Sequence, residues 1–350
     1  MPSITINNRK IGDGAPVFIV AELSANHAQD FSIAEETIKA MAAAGADAVK
    51  LQTYRPDTIT MDSDCECFKI VQGTIWDGKT LYRLYTEAAT PWDWYPRLRD
   101  LAMGLGLICF SSPFDKTAVD YLDSMDAPAY KIASFEITDT ALLQYTASKG
   151  KPIIISTGIA ELSDIEEAVA AIRETGNNEI ALLKCASVYP TPPEELNLRA
   201  MPYLAERFGV VPGLSDHTAG ITAAIAAAAL GAAIIEKHFI LDKAIGGPDA
   251  AFSLGPGEFA AMVKAVREVE ISLGRADYTL SERVGKSREH ARSLFAVKDI
   301  RALEPFTVDN VRSIRPGFGL HPRYLNEIMG KRAKVDINKG TPLCWDIIAD

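Results

Sequence analysis

Eight short apolar runs, each closing on polar or charged residues, constrain this chain more than any other feature. They occupy 17–22, 48–52, 107–111, 129–133, 153–156, 180–185, 210–214 and 233–238. Their apolar residues are largely continuous rather than alternating. That is the pattern of strands buried on both faces, as in a parallel sheet covered by helices. Helical patterns fall between or after them, such as 32–44, 91–104, 115–124, 163–175, 193–208, 221–230 and 256–273. Two are expected to open with capping boxes, Ser32 with Glu35 and Ser163 with Glu166. In each, the serine accepts from the third helical amide and the glutamate returns to the serine's own amide. Eight strand-then-helix units predict an α/β fold, a (β/α)8 TIM barrel. An open doubly wound sheet is the alternative, but no Gly-x-Gly-x-x-Gly follows an early strand.

The flanking segments fill out this architecture. Residues 3–6 and 10–12 around Asn7-Asn8 predict a hairpin that plugs the barrel. Residues 53–79 form a long insert and a candidate lid. The barrel is expected over 1–273 and a polar linker over 274–289. In the remainder, Asp299-Ile300 followed by Pro305-Phe306 is echoed by Asp336-Ile337 followed by Pro342-Leu343, which predicts a small β-rich domain at 290–350.

Charge and cysteine usage narrow the partners. Lys and Arg total 36 against 46 Asp and Glu, a formal net charge of −10. No general positive field exists to draw in nucleic acid or an anionic membrane. The longest apolar stretch, 221–235, is shorter than the ~20 residues of a membrane helix, and no basic-then-apolar leader opens the chain. Five scattered cysteines argue against a disulfide framework and for a reducing compartment, so a cytoplasmic protein is expected. Cys65-Glu66-Cys67 lacks a second Cys/His pair and reads as a surface loop.

A barrel's chemistry lies at the C-terminal ends of its strands, and here those ends are polar almost throughout. In chain order they carry Glu22 with Asn26 and His27; Lys50 and Gln52; Ser111 and Ser112; Lys131, Ser134 and Glu136; Ser156 and Thr157; Lys184, Ser187 and Tyr189; Ser215, Asp216 and His217; Glu236, Lys237 and His238. Any one has an ordinary structural explanation as a cap or a solvated end. Their coincidence predicts an active site. His217 and His238 close neighbouring strands about 4.8 Å apart, near enough for two imidazoles to share Mn²⁺, Fe²⁺, Co²⁺ or Zn²⁺. Two hydrogen-bonded structural histidines are the alternative. Lys50, Lys131 and Lys184, with the hydroxyls of Ser112, Ser134, Ser156, Ser187 and Ser215, suit a small and highly anionic ligand. A Schiff-base lysine is the rival reading, and a neighbouring metal would make it redundant.

Several segments together resemble the sialic acid synthases: Ala21-Glu22-Leu23-Ser24-Ala25-Asn26-His27, Lys50-Leu51-Gln52-Thr53, Phe110-Ser111-Ser112-Pro113-Phe114, Tyr130-Lys131-Ile132-Ala133-Ser134-Phe135-Glu136, Tyr189-Pro190-Thr191-Pro192, Gly213-Leu214-Ser215-Asp216-His217 and Ile235-Glu236-Lys237-His238-Phe239. The C-terminal segment with Arg315-Pro316-Gly317 resembles that family's antifreeze-like (SAF, β-clip) domain. Within the family, Thr74-Ile75-Trp76-Asp77, Thr90-Pro91-Trp92-Asp93-Trp94 and Gly317-Phe318-Gly319-Leu320-His321-Pro322 resemble the branch that uses 2,4-diacetamido-2,4,6-trideoxy-L-altrose.

The resemblance implies condensation of phosphoenolpyruvate with the open-chain aldehyde of an acetamido-deoxy sugar, with release of phosphate. It implies phosphoenolpyruvate binding by Lys50, Ser112, Lys131, Ser134, Ser156, Ser187 and Ser215. It also implies catalytic roles for Glu22, Lys50 and Lys131, and sugar contacts from Glu22, Glu136, Tyr189, Asp249 and Arg315. The divalent metal would sit on His217 and His238, typically Mn²⁺, with Mg²⁺ or Co²⁺ as alternatives. A domain-swapped homodimer is implied as well. Where N-acetylneuraminate synthases carry an asparagine, this chain has Ser187, a shorter donor. The alternatives are an N-acetylneuraminate or legionaminate synthase, a metal-dependent pyruvate aldolase, and a non-catalytic carbohydrate-binding barrel.

Overall fold

Asn7 and Asn8 both take positive φ, 47° and 62°, as the two central residues of a tight hairpin do. They join β1 (Ser3–Ile6) to β2 (Arg9–Gly12) in an antiparallel pair. The computed structural model describes residues 2–71, 73 and 75–349. Thr74 of the Thr74-Ile75-Trp76-Asp77 segment and the outermost residues of the two expected domains therefore lie outside the described residues.

The eight apolar runs form parallel strands: β3 (Phe18–Glu22), β4 (Ala48–Thr53), β5 (Ile108–Pro113), β6 (Tyr130–Ile132), β7 (Ile153–Ser156), β8 (Ile180–Lys184), β9 (Val211–Asp216) and β10 (Ile234–His238). They pair in chain order, and β10 returns to β3 to close the barrel. Helices cover it outside, including Phe31–Ala43, Lys116–Ser124, Thr140–Ala147, Leu162–Glu174 and Pro256–Leu273. Alternation along each strand divides the side chains between two layers. Ile19, Ala21, Val49, Leu51, Leu214 and Ile235 face the helices. Phe18, Val20, Phe110, Ile154, Leu183 and Ile234 face inward and pack with Ile4, Ile6 and Ile11 of the hairpin. The hairpin therefore plugs the N-terminal end of the barrel, and the opposite end is left for chemistry.

The helix starts differ from the capping boxes expected at Ser32 and Ser163. The first helix begins at Phe31 with Asp30 as its cap, whose carboxylate accepts from the Ser32 amide at 2.8 Å. The other begins at Leu162, where Asp164 accepts from the Glu161 amide at 2.8 Å. A carboxylate is the stronger acceptor at the positive end of a helix, so the acidic neighbours displace the serines.

Residues 1–274 and 275–350 form two units. In the second, the helix Glu282–Ser287 lies within the stretch expected as a linker. β11 (Ser293–Ala296) pairs antiparallel with β12 (Val311–Ile314). The two echoed dipeptides face each other: Ile300 and Ile337 exchange amide-to-carbonyl hydrogen bonds of 2.8 Å. Leu294, Phe306, Val311, Ile328 and Leu343 form the small core of this unit. Among the described residues no helix is long and apolar enough to cross a membrane. All five cysteines are free; the Sγ atoms of the exposed pair Cys65 and Cys67 lie 3.4 Å apart.

Candidate active site

One inward position above the apolar layer, the barrel turns polar. Glu22, Lys50, Ser112, Lys131, Ser156, Ser215 and Glu236 share the parity of Val20, Phe110 and Ile154, and all are buried. Lys50 Nζ lies 2.6 Å from Glu22 Oε2 and 2.9 Å from Glu236 Oε1. The same Glu236 oxygen accepts from Ser215 Oγ at 2.9 Å and stands 3.7 Å from Lys131 Nζ. Lys131 also donates to Ser156 Oγ at 2.6 Å and to the Ile132 carbonyl at 3.1 Å. Two ammonium groups and two carboxylates thus face each other in a buried site, where charge interactions are strong.

Electrostatics follow from this arrangement. Burial pushes the Lys50 ammonium down to about 8; the charge on Glu236 opposes this and that on Lys131 adds to it. Burial acts to raise the Glu236 carboxyl, but Lys131 and Lys50 outweigh it and hold the group at about 2. Glu236 is among the polar strand ends expected at the site, but neither its residue type nor the resemblance assigns it a role there. Its signal was its parity, two residues before His238 on the same face of the strand.

The hydroxyls expected to meet an anion separate into two groups. Ser112, Ser156 and Ser215 line the cavity beside the lysines, and Ser112 Oγ is buried without a hydrogen-bond partner. Ser134 and Ser187 meet each other higher up. Ser187 Oγ donates to Ser134 Oγ at 2.9 Å, and the Ile159 amide donates to the same oxygen at 3.0 Å. Gly158 keeps this corner open. A Cβ there would lie 2.2 Å from Ser187 Oγ and 2.7 Å from Ser134 Oγ, so any side chain would occupy the space in which the hydroxyls converge.

Lys184 departs from expectation. It shares the helix-facing parity of Leu182 rather than the inward parity of Leu183 and is half-buried. Its Nζ donates to the Cys185 carbonyl at 2.7 Å. The cavity therefore contains two lysines, not three, because the strand's two-residue period turns this one away. Asn26 and His27 also serve structure. Asn26 Nδ2 donates to the Phe239 carbonyl at 2.9 Å and to Ser253 Oγ at 2.8 Å. His27 packs edge-on against Trp94, with ring centroids 5.4 Å apart, and burial pushes it down to about 4.

His217 and His238 stand beside the lysine cavity with ring centroids 5.3 Å apart. Burial drives His217 to about 4 and His238 well below its ordinary value, so both imidazoles are neutral and offer lone pairs. His217 Nδ1 lies 3.3 Å from the Ala186 carbonyl. His238 Nδ1 is buried with no hydrogen-bond partner and 3.7 Å from Asp249 Oδ2. Asp249 is itself buried and accepts from Ser24 Oγ. Two neutral imidazoles, one with an unpartnered nitrogen, fit a divalent cation of intermediate hardness. Among the described residues no group of three or more His, Cys, Asp or Glu is arranged to hold a metal. The remaining positions would then fall to water or substrate oxygens.

The mouth is walled by aromatic rings. Tyr189 packs on His217 at 4.6 Å and on Phe252 at 5.2 Å between centroids. From the 53–79 insert, Trp76 lies 5.5 Å from Tyr189, and its Nε1 donates to the Pro248 carbonyl at 3.1 Å. The insert thus reaches the loops that follow β8 and β10. Glu136 has an unpartnered buried Oε2, and burial raises its carboxyl to about 7, with Lys131 opposing. Arg315 follows β12 in the second unit and is exposed.

Comparisons with known proteins agree with this geometry. The NeuB family matches residues 37–278, and a SAF domain matches residues 291–349. The chain is 48% identical over 327 residues to the pseudaminic acid synthase of Campylobacter jejuni, covering 93% of this chain and 95% of that one. It is 46% identical to the pseudaminic acid synthase of Helicobacter pylori, covering 95% and 98%. The solved structure of a spore coat polysaccharide biosynthesis protein from Bacillus subtilis superposes with a TM-score of 0.68 at 36% identity, covering 100% of this chain and 99% of that one. A closed parallel barrel with a polar C-terminal end, followed by a SAF unit, places this chain in the NeuB family.

Proposed function

We propose that the chain condenses phosphoenolpyruvate with open-chain 2,4-diacetamido-2,4,6-trideoxy-L-altrose and water to give pseudaminate and phosphate. The observation that carries this reading is the buried Lys50–Lys131 cavity lying beside two neutral imidazoles at the same end of the barrel. The similarity to two pseudaminic acid synthases supplies the sugar.

The phosphate and carboxylate of phosphoenolpyruvate sit among Lys50, Lys131, Ser112, Ser156 and Ser215, with Ser134 and Ser187 completing the cradle. Burial makes each charge-assisted hydrogen bond stronger than it would be in water. Carbon 3 forms the new bond to the sugar aldehyde carbon, and the aldehyde oxygen takes up a proton. Carbon 2 becomes electron-poor and is attacked by water. Glu22, fixed 2.6 Å from Lys50, orients that water and accepts its proton. The C2–O bond then breaks, phosphate departs with the bridging oxygen and takes the proton of the C2 hydroxyl, leaving a ketone at carbon 2, and the water proton accepted by Glu22 balances the one taken up by the aldehyde oxygen.

His217 and His238 would hold the divalent cation, Mn²⁺ by resemblance, which when bound polarises the aldehyde oxygen as a Lewis acid. Glu136, Tyr189 and Asp249 face the sugar. Near neutral pH Glu136 can donate a hydrogen bond as well as accept one, because its carboxyl titrates at about 7. The proposal also takes from the resemblance a role for Arg315 at an N-acetyl group, a domain-swapped homodimer and a cytoplasmic location.

The test is turnover with a panel of acetamido sugars that differ in hydroxyl stereochemistry and in their 4- and 6-substituents. The altro-configured 2,4-diacetamido sugar is expected to lead the panel by at least about 100-fold in kcat/KM, because a sugar that leaves buried polar groups of the pocket unpaired is strongly discriminated against. A different leader would reassign the chain to a sister branch.

A pH dependence follows from Lys50. Its ammonium is depressed to about 8, so it is charged below that pH and neutral above it. The kcat/KM for phosphoenolpyruvate is therefore expected to fall as pH rises through about 8, since this parameter reports the free enzyme. Lys50→Arg keeps its charge throughout and should move that limb to higher pH. An identical limb in the two proteins would remove Lys50 as its cause.

A further inference from the structure

Asp216 and Lys237 are ionisable, completely buried and unused by the reaction above. They lie directly opposite each other in the β9–β10 register, on the helix-facing side of the barrel wall. Two residues earlier on the same strands, Leu214 and Ile235 belong to the apolar core. A charged pair in such a place adds little net stability over an apolar pair, because desolvation consumes most of its attraction. Its contribution is geometric.

Each of the two residues immediately precedes one of the paired histidines. Lys237 Nζ donates to Asp216 Oδ2 at 2.8 Å and to the Thr218 carbonyl. Asp216 Oδ1 in turn accepts from the Thr218 amide and hydroxyl, each at 2.8 Å. One ammonium from the strand of His238 thus grips the chain on both sides of His217. The far side of His217 is fixed as well, since its carbonyl accepts from the Thr191 amide at 3.0 Å. His238 is held on its own far side, where its carbonyl accepts from the Leu254 amide at 2.9 Å.

We propose that the Asp216–Lys237 ion pair is a strap on the back of the sheet that fixes the separation and orientation of His217 and His238, so that the two imidazoles are preset to share one divalent cation. Asp216 and Lys237 are positioning residues, not ligands. The inference rests on the two histidines being the protein ligands of that cation. Partners behind metal ligands commonly set affinity by 10- to 100-fold.

The test uses the full chain and Mn²⁺ alone. D216N/K237M removes both charges and keeps an oxygen to accept from Thr218. It is expected to fold, as judged by circular dichroism and thermal melting, and to bind Mn²⁺ at least about 10-fold more weakly than the wild type. With Co²⁺ loaded instead, its visible absorption bands should shift. Lys237→Arg keeps the charge and alters its reach, and should weaken Mn²⁺ binding by a smaller factor. That second variant decides the matter if the first does not fold. Unchanged Mn²⁺ affinity and an unchanged Co²⁺ spectrum in either folded variant would overturn the strap. Failure of the wild type to bind Mn²⁺ stoichiometrically would instead overturn the ligand assignment beneath it, so the two failures are distinguishable.

Discussion

Replacement of either His217 or His238 by alanine is expected to lower kcat/KM by about 10³-fold or more, since loss of a Lewis acid removes several kcal/mol of transition-state stabilisation. The barrel should survive the change. Both rings are neutral, and their hydrogen bonding is sparse: His217 Nδ1 lies 3.3 Å from the Ala186 carbonyl, and His238 Nδ1 has no partner. Neither substitution strands a buried charge. A chelator should abolish wild-type activity to the same extent, and added Mn²⁺ should restore the wild type but not the variants. Steady-state kinetics with metal-depleted and reloaded protein checks all three results. Full turnover in metal-free protein would leave the histidines as structural groups.

Lys131→Met carries the second large effect. The substitution keeps the length of the side chain and removes the ammonium that donates to Ser156 and faces Glu236 at 3.7 Å. The kcat/KM for phosphoenolpyruvate is expected to fall by about 10²- to 10⁴-fold, the range for breaking one partner of a buried charged cluster. The KM for the sugar should change far less, because the lysine lies among the hydroxyls assigned to the anion. Part of the change will register as lost stability. Glu236 then keeps only Lys50 and Ser215 as partners, so the melting temperature should drop too. Both substrates must therefore be varied on protein shown to be folded. A rise in the sugar KM with an unchanged phosphoenolpyruvate KM would move Lys131 to the other half of the site.

The barrel was legible because its signal is repeated. Each apolar run is buried on both faces, and Ile153–Ser156 appears as a strand with the limits expected of it. The hairpin was legible from Asn7-Asn8, which tolerate the positive φ that the turn requires. Strand-end chemistry was legible in kind but less so in direction. Lys184 and Lys131 look equivalent in sequence, yet one donates to its neighbour's carbonyl outside the cavity and the other enters it. The difference is one residue of register, which a short apolar run does not reveal. The role of Glu236 was hidden for a related reason: as a strand end it is visible, but a glutamate between Ile235 and Lys237 has no local signature that names its partners. Only closure of the barrel brings it against Lys50, Lys131 and Ser215. The helix starts shifted because each helix begins one residue before the expected serine, where a carboxylate, Asp30 or Asp164, accepts from an amide at that end. Trp76 was visible only as part of a motif. Its contacts with Tyr189 and Pro248 join positions far apart in the chain, and no periodicity encodes them.

The most direct measurement is phosphate release from phosphoenolpyruvate labelled with ¹⁸O at the bridging position, with and without the 2,4-diacetamido-2,4,6-trideoxy-L-altrose acceptor. The lysine cavity and the histidine pair predict one phosphate per sugar consumed, no release without sugar, and the label recovered in the phosphate. Sugar-independent release, label retained on carbon 2 of the product, or equal condensation from pyruvate with no phosphate formed would each contradict a synthase that consumes phosphoenolpyruvate by C–O cleavage.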